Sequence, residues 1–171
     1  NSGIGLLRIA PEVLTTFQSH MDYDLLVLQF GLNVLNPKLL DYDWYEDQLI
    51  SVIRHYQAAW PGVPVLIIGV PDKATQWGGA MQTDPSIPRI TAAQRAAAVR
   101  CRAGFFSLYE AMGGAGTMVN WVDGRQPRLA NLDYTHFNFI GADRVGNLIL
   151  DYLRTGYTAY QAETQLSHVD Q

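Results

Sequence analysis

Tyr23-Asp24-Leu25-Leu26-Val27-Leu28-Gln29-Phe30-Gly31-Leu32-Asn33 decides how this chain folds. A short apolar run with a polar start, closed by a Gly-containing turn, is the pattern of a buried strand. The run ends in Gly-x-Asn. Open α/β sheets bind ligands outside the carboxyl ends of their strands, so the pattern places the Asn33 amide where a ligand would lie. A side-chain amide there can donate a hydrogen bond to an oxyanion. The same tripeptide also fits an ordinary turn with Asn in a left-handed conformation.

The segments on either side alternate helix and strand. Val63-Pro64-Val65-Leu66-Ile67-Ile68-Gly69 reads as a second strand, with Pro at its permitted early position. Phe105 to Tyr109 reads as a third. Pro11 can open a first helix carrying Val13, Leu14, Phe17 and Met21 on one face. Asp43-Trp44-Tyr45-Glu46 is an acidic form of a capping box. The helix after it carries Leu49, Val52, Ile53, Tyr56 and Trp60 and stops at Pro61-Gly62. Thr91-Ala92-Ala93-Gln94 reads as another capping box, opening an Ala-rich helix that Gly104 ends. Asn138 can cap a last helix with a stripe of Val145, Leu148, Ile149, Tyr152 and Leu153. Alternation of this kind implies an α/β fold, a parallel sheet covered by helices on both faces in three layers. One domain is expected over residues 1–160, and 161–171 is a polar tail expected to fray. Residues 71–90 and 110–132 read as long loops after strands. Each carries a Gly pair and a Trp, Trp77 and Trp121, which can stack on a sugar or anchor its own loop to the core.

Composition narrows the partners. At 171 residues, 48% hydrophobic and 16% charged, the chain can bury a core of its own. Its net charge is −4 without a Lys/Arg cluster, which argues against a nucleic-acid partner. No apolar run approaches the length of a membrane span. Cys101 reads as a buried helix residue rather than a reactive thiol, despite Arg100 and Arg102 beside it. His20, His55 and His168 have no partner at ligand spacing. No metal and no cofactor are expected.

Asp133-Tyr134-Thr135-His136 carries the clearest chemistry. A His that takes a proton from a nucleophile needs its other ring nitrogen held by an acceptor, and a carboxylate does this while stabilising the imidazolium. On a tight loop, residues three apart can meet. The spacing also fits a loop Asp bonding nearby backbone amides beside a half-exposed His.

The two segments together resemble the SGNH, or GDSL, hydrolase family. In that family a Gly-x-Asn after the third strand supplies an oxyanion donor, and an Asp-x-x-His near the C-terminus supplies two members of a catalytic triad. The resemblance implies those roles for Asn33, Asp133 and His136. Val34 departs from the Asp that the family often has after its Asn. Asn1-Ser2-Gly3-Ile4-Gly5 resembles the family's second block, whose Gly donates a backbone N–H to the oxyanion hole. Gly3 is the match, with Gly5 a close competitor. Leu108-Tyr109-Glu110-Ala111-Met112-Gly113-Gly114, Trp121 and the Asp133–Phe137 block are similar to bacterial esterases that remove O-acetyl groups from carbohydrate, peptidoglycan O-acetylesterases among them. The resemblance implies an acylated carbohydrate or other small ester as substrate and an extracytoplasmic location.

The family's nucleophile is a Ser in Gly-Asp-Ser, and the sequence has no such motif. Ser2, Ser19, Ser51, Ser86, Ser107 and Ser167 are its serines, and none stands in the strand-to-turn context that presents a nucleophile. The expectation is therefore that the Ser arrives on a preceding segment or a second chain, and that the 171 residues alone are inactive. In the family order that segment would also pair the outer edge of the strand at 24–30. The alternative is a non-catalytic domain of the same fold that binds carbohydrate or protein. A plain α/β interaction module would instead scatter Asn33, Asp133 and His136.

Overall fold

The computed structural model describes residues 3–169, the last five of them by backbone alone. Three parallel strands form the central sheet: β1 (Leu26–Leu28), β2 (Val65–Ile68) and β5 (Gly104–Phe106), in the order β1-β2-β5. Val27 pairs with Leu66, and Ile67 with Phe105. β2 lies in the middle, and all four of its residues are buried. Successive side chains of a strand point to opposite faces, and β2 divides accordingly. Val65 and Ile67 enter one core with Leu14, Leu49, Ile53, Ile90 and Ala97. Leu66 and Ile68 enter another with Leu108, Met118, Trp121 and Val145. An unbroken apolar run is what a strand covered on both faces requires.

The first core is closed by α1 (Pro11–Met21), α2 (Asp43–Ala59) and α3 (Ser86–Arg100), the second by α4 (Leu108–Met112), α5 (Thr117–Asp123) and α6 (Phe139–Val169). The fold is thus a three-layer α/β/α arrangement. Asn138 caps α6: its Oδ1 accepts from Gly141 N at 3.0 Å, and its Nδ2 donates to Arg128 O at 2.7 Å. Gly141 has no room for a side chain, since a Cβ there would lie 1.8 Å from Leu129 O. No helix among the described residues is long and apolar enough to cross a membrane.

Several elements differ from the sequence expectation. β1 is three residues long rather than spanning 24–30, and Leu25 and Val27 are 41% and 46% exposed. Among the described residues β1 pairs with β2 alone, so its other edge faces outward. Of the apolar residues on α1, Leu14 is buried, whereas Val13, Phe17 and Met21 are exposed, and Phe17 shares a hollow with Leu25 and Leu26. The stretch at 71–90 is not a plain loop. It contains an antiparallel hairpin, β3 (Ala74–Trp77) and β4 (Ala80–Thr83), turned by Gly78-Gly79 with both φ positive, as a two-residue hairpin turn needs. The stretch at 110–132 contains the end of α4 and all of α5. The third strand ends at Phe106 because Ser107 caps α4, its Oγ accepting from Glu110 N at 3.4 Å. Residues 170–171 lie outside the described residues, and within the expected polar tail α6 continues as far as Val169. Its Leu150, Leu153, Tyr157 and Tyr160 recur at helical spacing and are exposed.

Thr91-x-x-Gln94 is not a capping box. α3 begins five residues earlier, at Ser86, whose N–H bonds Asp84 Oδ1 at 2.9 Å. Thr91 and Gln94 lie inside the helix, both buried. Gln94 turns inward to the sheet. Its Nε2 donates to Phe30 O at 2.7 Å, and its Oε1 accepts from Val70 N at 3.0 Å. One side chain therefore satisfies the backbone just past the ends of both β1 and β2. Gly31 makes room for it: φ is 127°, and a Cβ would meet Val70 Cγ1 at 2.8 Å and Gln94 Nε2 at 3.0 Å.

A buried polar group left without a partner costs about 1–3 kcal/mol. Gln94→Leu leaves two such groups, Phe30 O and Val70 N–H. The variant is expected to lose about 2–6 kcal/mol of unfolding free energy, by the same measure, in urea melts followed by circular dichroism. A wild-type midpoint and slope would show that the bridge contributes nothing to stability.

Candidate active site

Two segments meet at the carboxyl end of the sheet. The first is the exit from β1, where Gly31 opens a single 3-10 turn over Leu32–Val34. The turn lifts Asn33 to the surface, and its side chain is exposed with no hydrogen bond to the described residues. The second is the loop 131–138, which crosses back to α6. Asn131 N bonds His136 O (2.9 Å), and Asn138 N bonds Leu129 O (3.2 Å), giving the loop a hairpin-like base. Gln29, Phe30, Gly31, Leu32, Asn33, Val70 and Pro71 line one side of a cavity of about 410 Å³; Thr135, His136 and Phe137 line the other. Asn33 and His136 thus share one cavity. Phe137 is backed by Trp121, their ring centres 5.6 Å apart. Trp121, within α5, is 4% exposed and packs in the core rather than offering a stacking face, whereas Trp77 is 41% exposed.

Asp133 makes three short bonds within its own loop. Oδ1 accepts from Thr135 N and His136 N, each at 3.0 Å, and Oδ2 is 2.7 Å from His136 Nδ1. The carboxylate therefore both bonds local amides and holds the imidazole. With Nδ1 held, Nε2 has no protein partner among the described residues. The backbone N–H of His136, then its ring and the N–H of Thr135, stabilise the ionised carboxyl and hold Asp133 down at about 2. This is the arrangement a general base needs: one nitrogen fixed by a carboxylate, the other open to the cavity.

Gly3 does not line the cavity. It is buried against Phe30, which does: a Cβ on Gly3 would come within 3.0 Å of the Phe30 ring, and φ is 85°. Gly5 is exposed and open on all sides, so Gly3 is the glycine packed next to the site. Ser2 lies outside the described residues, as does the side chain of Ser167. Ser19, Ser51, Ser86 and Ser107 are all away from the cavity lining. Ser19 and Ser51 bond the backbone of their own helices, and Ser86 and Ser107 are buried. Cys101 is buried as well, and burial pushes its thiol up despite Arg54 and Arg100 nearby. Among the described residues no three His, Cys, Asp or Glu side chains group as metal ligands.

Sequence reasoning missed Tyr134 and Gln94. Tyr134 lies between the two dyad members with φ at 53°. Its O accepts from Ala74 N (3.0 Å), its N donates to Asn131 O (3.1 Å), and its hydroxyl donates to both oxygens of Asp123 (3.1 and 3.0 Å). The positive φ of a bulky residue, unusual in itself, has no sequence signature. The role of Gln94 was masked by its match to a capping pattern.

A solved structure of a peptidoglycan O-acetylesterase superposes on the chain with a TM-score of 0.74 at 23% sequence identity. The match covers 86% of this chain and 41% of that one, so the chain spans less than half the length of that esterase. The chain shares its α/β/α fold with that esterase. No protein-family model and no curated protein matches the sequence.

The bonds that hold Asp133 down make a pH prediction. A carboxyl depressed in the folded state contributes stability that is present above its ordinary pKa, about 4, and is lost as pH falls through the folded value. The stability is therefore lost as pH falls from about 4 to about 2. The contribution is small because both side chains are half-exposed or more. Carboxyl 13C NMR is expected to show Asp133 titrating near pH 2. A midpoint near about 4 would mean that the three bonds are not held in solution.

Proposed function

We propose that this chain is a portion of an SGNH-type serine esterase that removes an acyl group, acetyl by preference, from a carbohydrate. The observation that carries this reading is the shared cavity. His136, oriented by Asp133, and the free amide of Asn33 border the same space at the carboxyl end of a parallel sheet. The fold shared with a peptidoglycan O-acetylesterase supports the chemistry and a site of action outside the cytoplasm.

The reaction runs as acyl transfer through a covalent ester. A Ser hydroxyl brought to the cavity gives its proton to His136 Nε2, and its Oγ attacks the ester carbonyl carbon. The carbonyl electrons move onto oxygen. Asn33 donates to that oxyanion. The tetrahedral intermediate collapses, and the sugar oxygen leaves with the proton from His136. Water then attacks the acyl-Ser, with His136 taking its proton and returning it to Ser Oγ, and the free acid departs. Asp133 stays ionised throughout and stabilises the imidazolium.

The Ser comes from another segment or chain. The outward edge of β1 supports this, since an unpaired strand edge presents backbone groups that call for partners. Beside it, Phe17, Tyr23, Leu25, Leu26, Tyr56 and Trp60 line an apolar hollow of about 360 Å³. A strand added along β1 would cover Val27 and that hollow and would end next to Gly31, on the cavity side. The 171 residues alone are then inert towards short acyl esters.

A non-catalytic carbohydrate-binding role is the second reading. Steady-state kinetics on a polypeptide that includes the Ser-bearing segment separate the two. His136→Ala is expected to abolish ester hydrolysis. Asn33→Ala is expected to lower kcat by about a hundredfold or more with little change in KM. An Asn33→Ala enzyme with full kcat would remove the oxyanion role. Sustained turnover by the pure 171-residue chain would show that its nucleophile lies within it.

A further inference from the structure

A larger groove, about 850 Å³, lies apart from the dyad cavity. β4 and the chain leading into α3 form one wall, with Met81, Gln82, Thr83, Asp84 and Pro85. The other wall is the turn before α5 and α5 itself, with Ala115, Gly116, Val119, Asn120 and Asp123, and Tyr109 also lines the space. No residue of the dyad cavity borders it.

The two walls are stitched together from inside. Gly116 N donates to Thr83 Oγ1 at 2.7 Å, and Met118 N donates to Asp72 Oδ2, also at 2.7 Å. Asp72 is fully buried beneath them and hydrogen-bonded to the Thr83 side chain. Burial pushes its carboxyl up, against those bonds, and its Oδ1 has no partner among the described residues. A buried polar network of this kind is a costly way to close a surface loop. What it achieves is a groove whose walls are fixed before any ligand arrives, which lowers the cost of binding.

The lining defines the ligand class. Gln82, Asp84, Asn120 and Asp123 offer planar amides and carboxylates, and Thr83 and Tyr109 offer hydroxyls. Met81, Pro85, Pro88 and Val119 add apolar surface between them. No Lys or Arg lines the groove, and Arg125 at its margin bonds Asn120 Oδ1 at 3.1 Å. Two carboxylates and no cation disfavour phosphate and other anions. Planar acceptors and donors alternating with apolar patches suit the hydroxyls and C–H faces of a neutral sugar chain.

Two contacts join this groove to the dyad loop. Asp123, on the groove, receives the hydroxyl of Tyr134, which lies between Asp133 and His136 in sequence. Ala74, at the start of the hairpin whose second strand walls the groove, bonds the same residue's carbonyl.

We propose that this groove is a glycan subsite, one that holds an uncharged sugar segment flanking the acylated residue, with Asp123 a shared anchor for the sugar and for Tyr134. The proposal rests on the esterase reading for what the dyad does to the neighbouring sugar, but the binding it predicts is measurable without turnover. The probe is the tetramer of β-1,4-linked N-acetylglucosamine, titrated into 15N-labelled protein. Backbone NMR shifts are expected to move and saturate at Thr83, Gly116, Asn120 and Asp123. Ala115→Trp, which fills the groove from an exposed position, is expected to abolish these shifts while leaving the rest of the spectrum folded. Asp123→Asn is expected to weaken binding about tenfold, as the loss of one charge-assisted hydrogen bond would. Saturable groove shifts in a His136→Ala protein, where the dyad is gone, support the subsite whatever the turnover. Their absence overturns it even if esters are hydrolysed, as would shifts confined to residues 29–33 and 135–137 or binding unchanged in Ala115→Trp.

Discussion

The amide of Gln94 is the interaction on which the working end of this molecule depends. A parallel sheet leaves the backbone beyond its last ladder bond without a regular partner, and each such group is costly when buried. Gln94 reaches from α3 with one donor and one acceptor in a fixed plane. It satisfies Phe30 O after β1 and Val70 N after β2 together. That fixes the separation of the two strand ends, and both ends border the dyad cavity. Gly31 is forced by the same contact, because any side chain there would strike Val70 and Gln94. The turn that lifts Asn33 then follows from the freedom of Gly31 to take a φ of 127°. A single helix side chain thus reaches through the core to set where an exposed amide stands.

The second part of the cavity is built locally. Asp133 holds His136 by its ring and by its backbone N–H, so loop shape and dyad geometry are one structure. The loop is tied to the body at Tyr134, which joins it to the hairpin through Ala74 and to α5 through Asp123. Gly141 allows α6 to start hard against Leu129, closing the base of the same loop. None of these contacts touches the reacting atoms. They fix the imidazole in place, as the proposed general-base role requires.

Much of the fold was legible because the strong signals were physical. β2 reads as a strand buried on both faces because its apolar run is unbroken, and it is one. Asn138 reads as a cap and is one. The three parallel strands and their covering helices follow from the alternation. The failures have equally definite causes. Gly78-Gly79 between short alternating runs is a hairpin signal that a loop reading passed over. Thr91-x-x-Gln94 fits a capping box, but tertiary contacts claimed the Gln for the sheet. The polar composition of 161–171 suggested fraying, whereas helix propagation carries α6 to Val169. Asn33, Asp133 and His136 were nameable as candidates because the chemistry proposed for them needs particular residue types. Tyr134 and Asp123 were not, since a hydrogen bond across eleven residues has no sequence pattern.

The central claim is that the cavity shared by Asn33 and His136 processes a Ser-bound acyl group. Covalent trapping tests it most directly. A polypeptide that includes the Ser-bearing segment is treated with an organophosphonate ester, and the adduct is located by mass spectrometry and crystallography. The account predicts one labelled Ser, reached only when His136 is intact. Its phosphonyl oxygen should lie within hydrogen-bond distance of the Asn33 amide, in the cavity bordered by Phe30 and Phe137. An adduct formed equally well in His136→Ala, or one whose phosphonyl oxygen points away from Asn33, would contradict it.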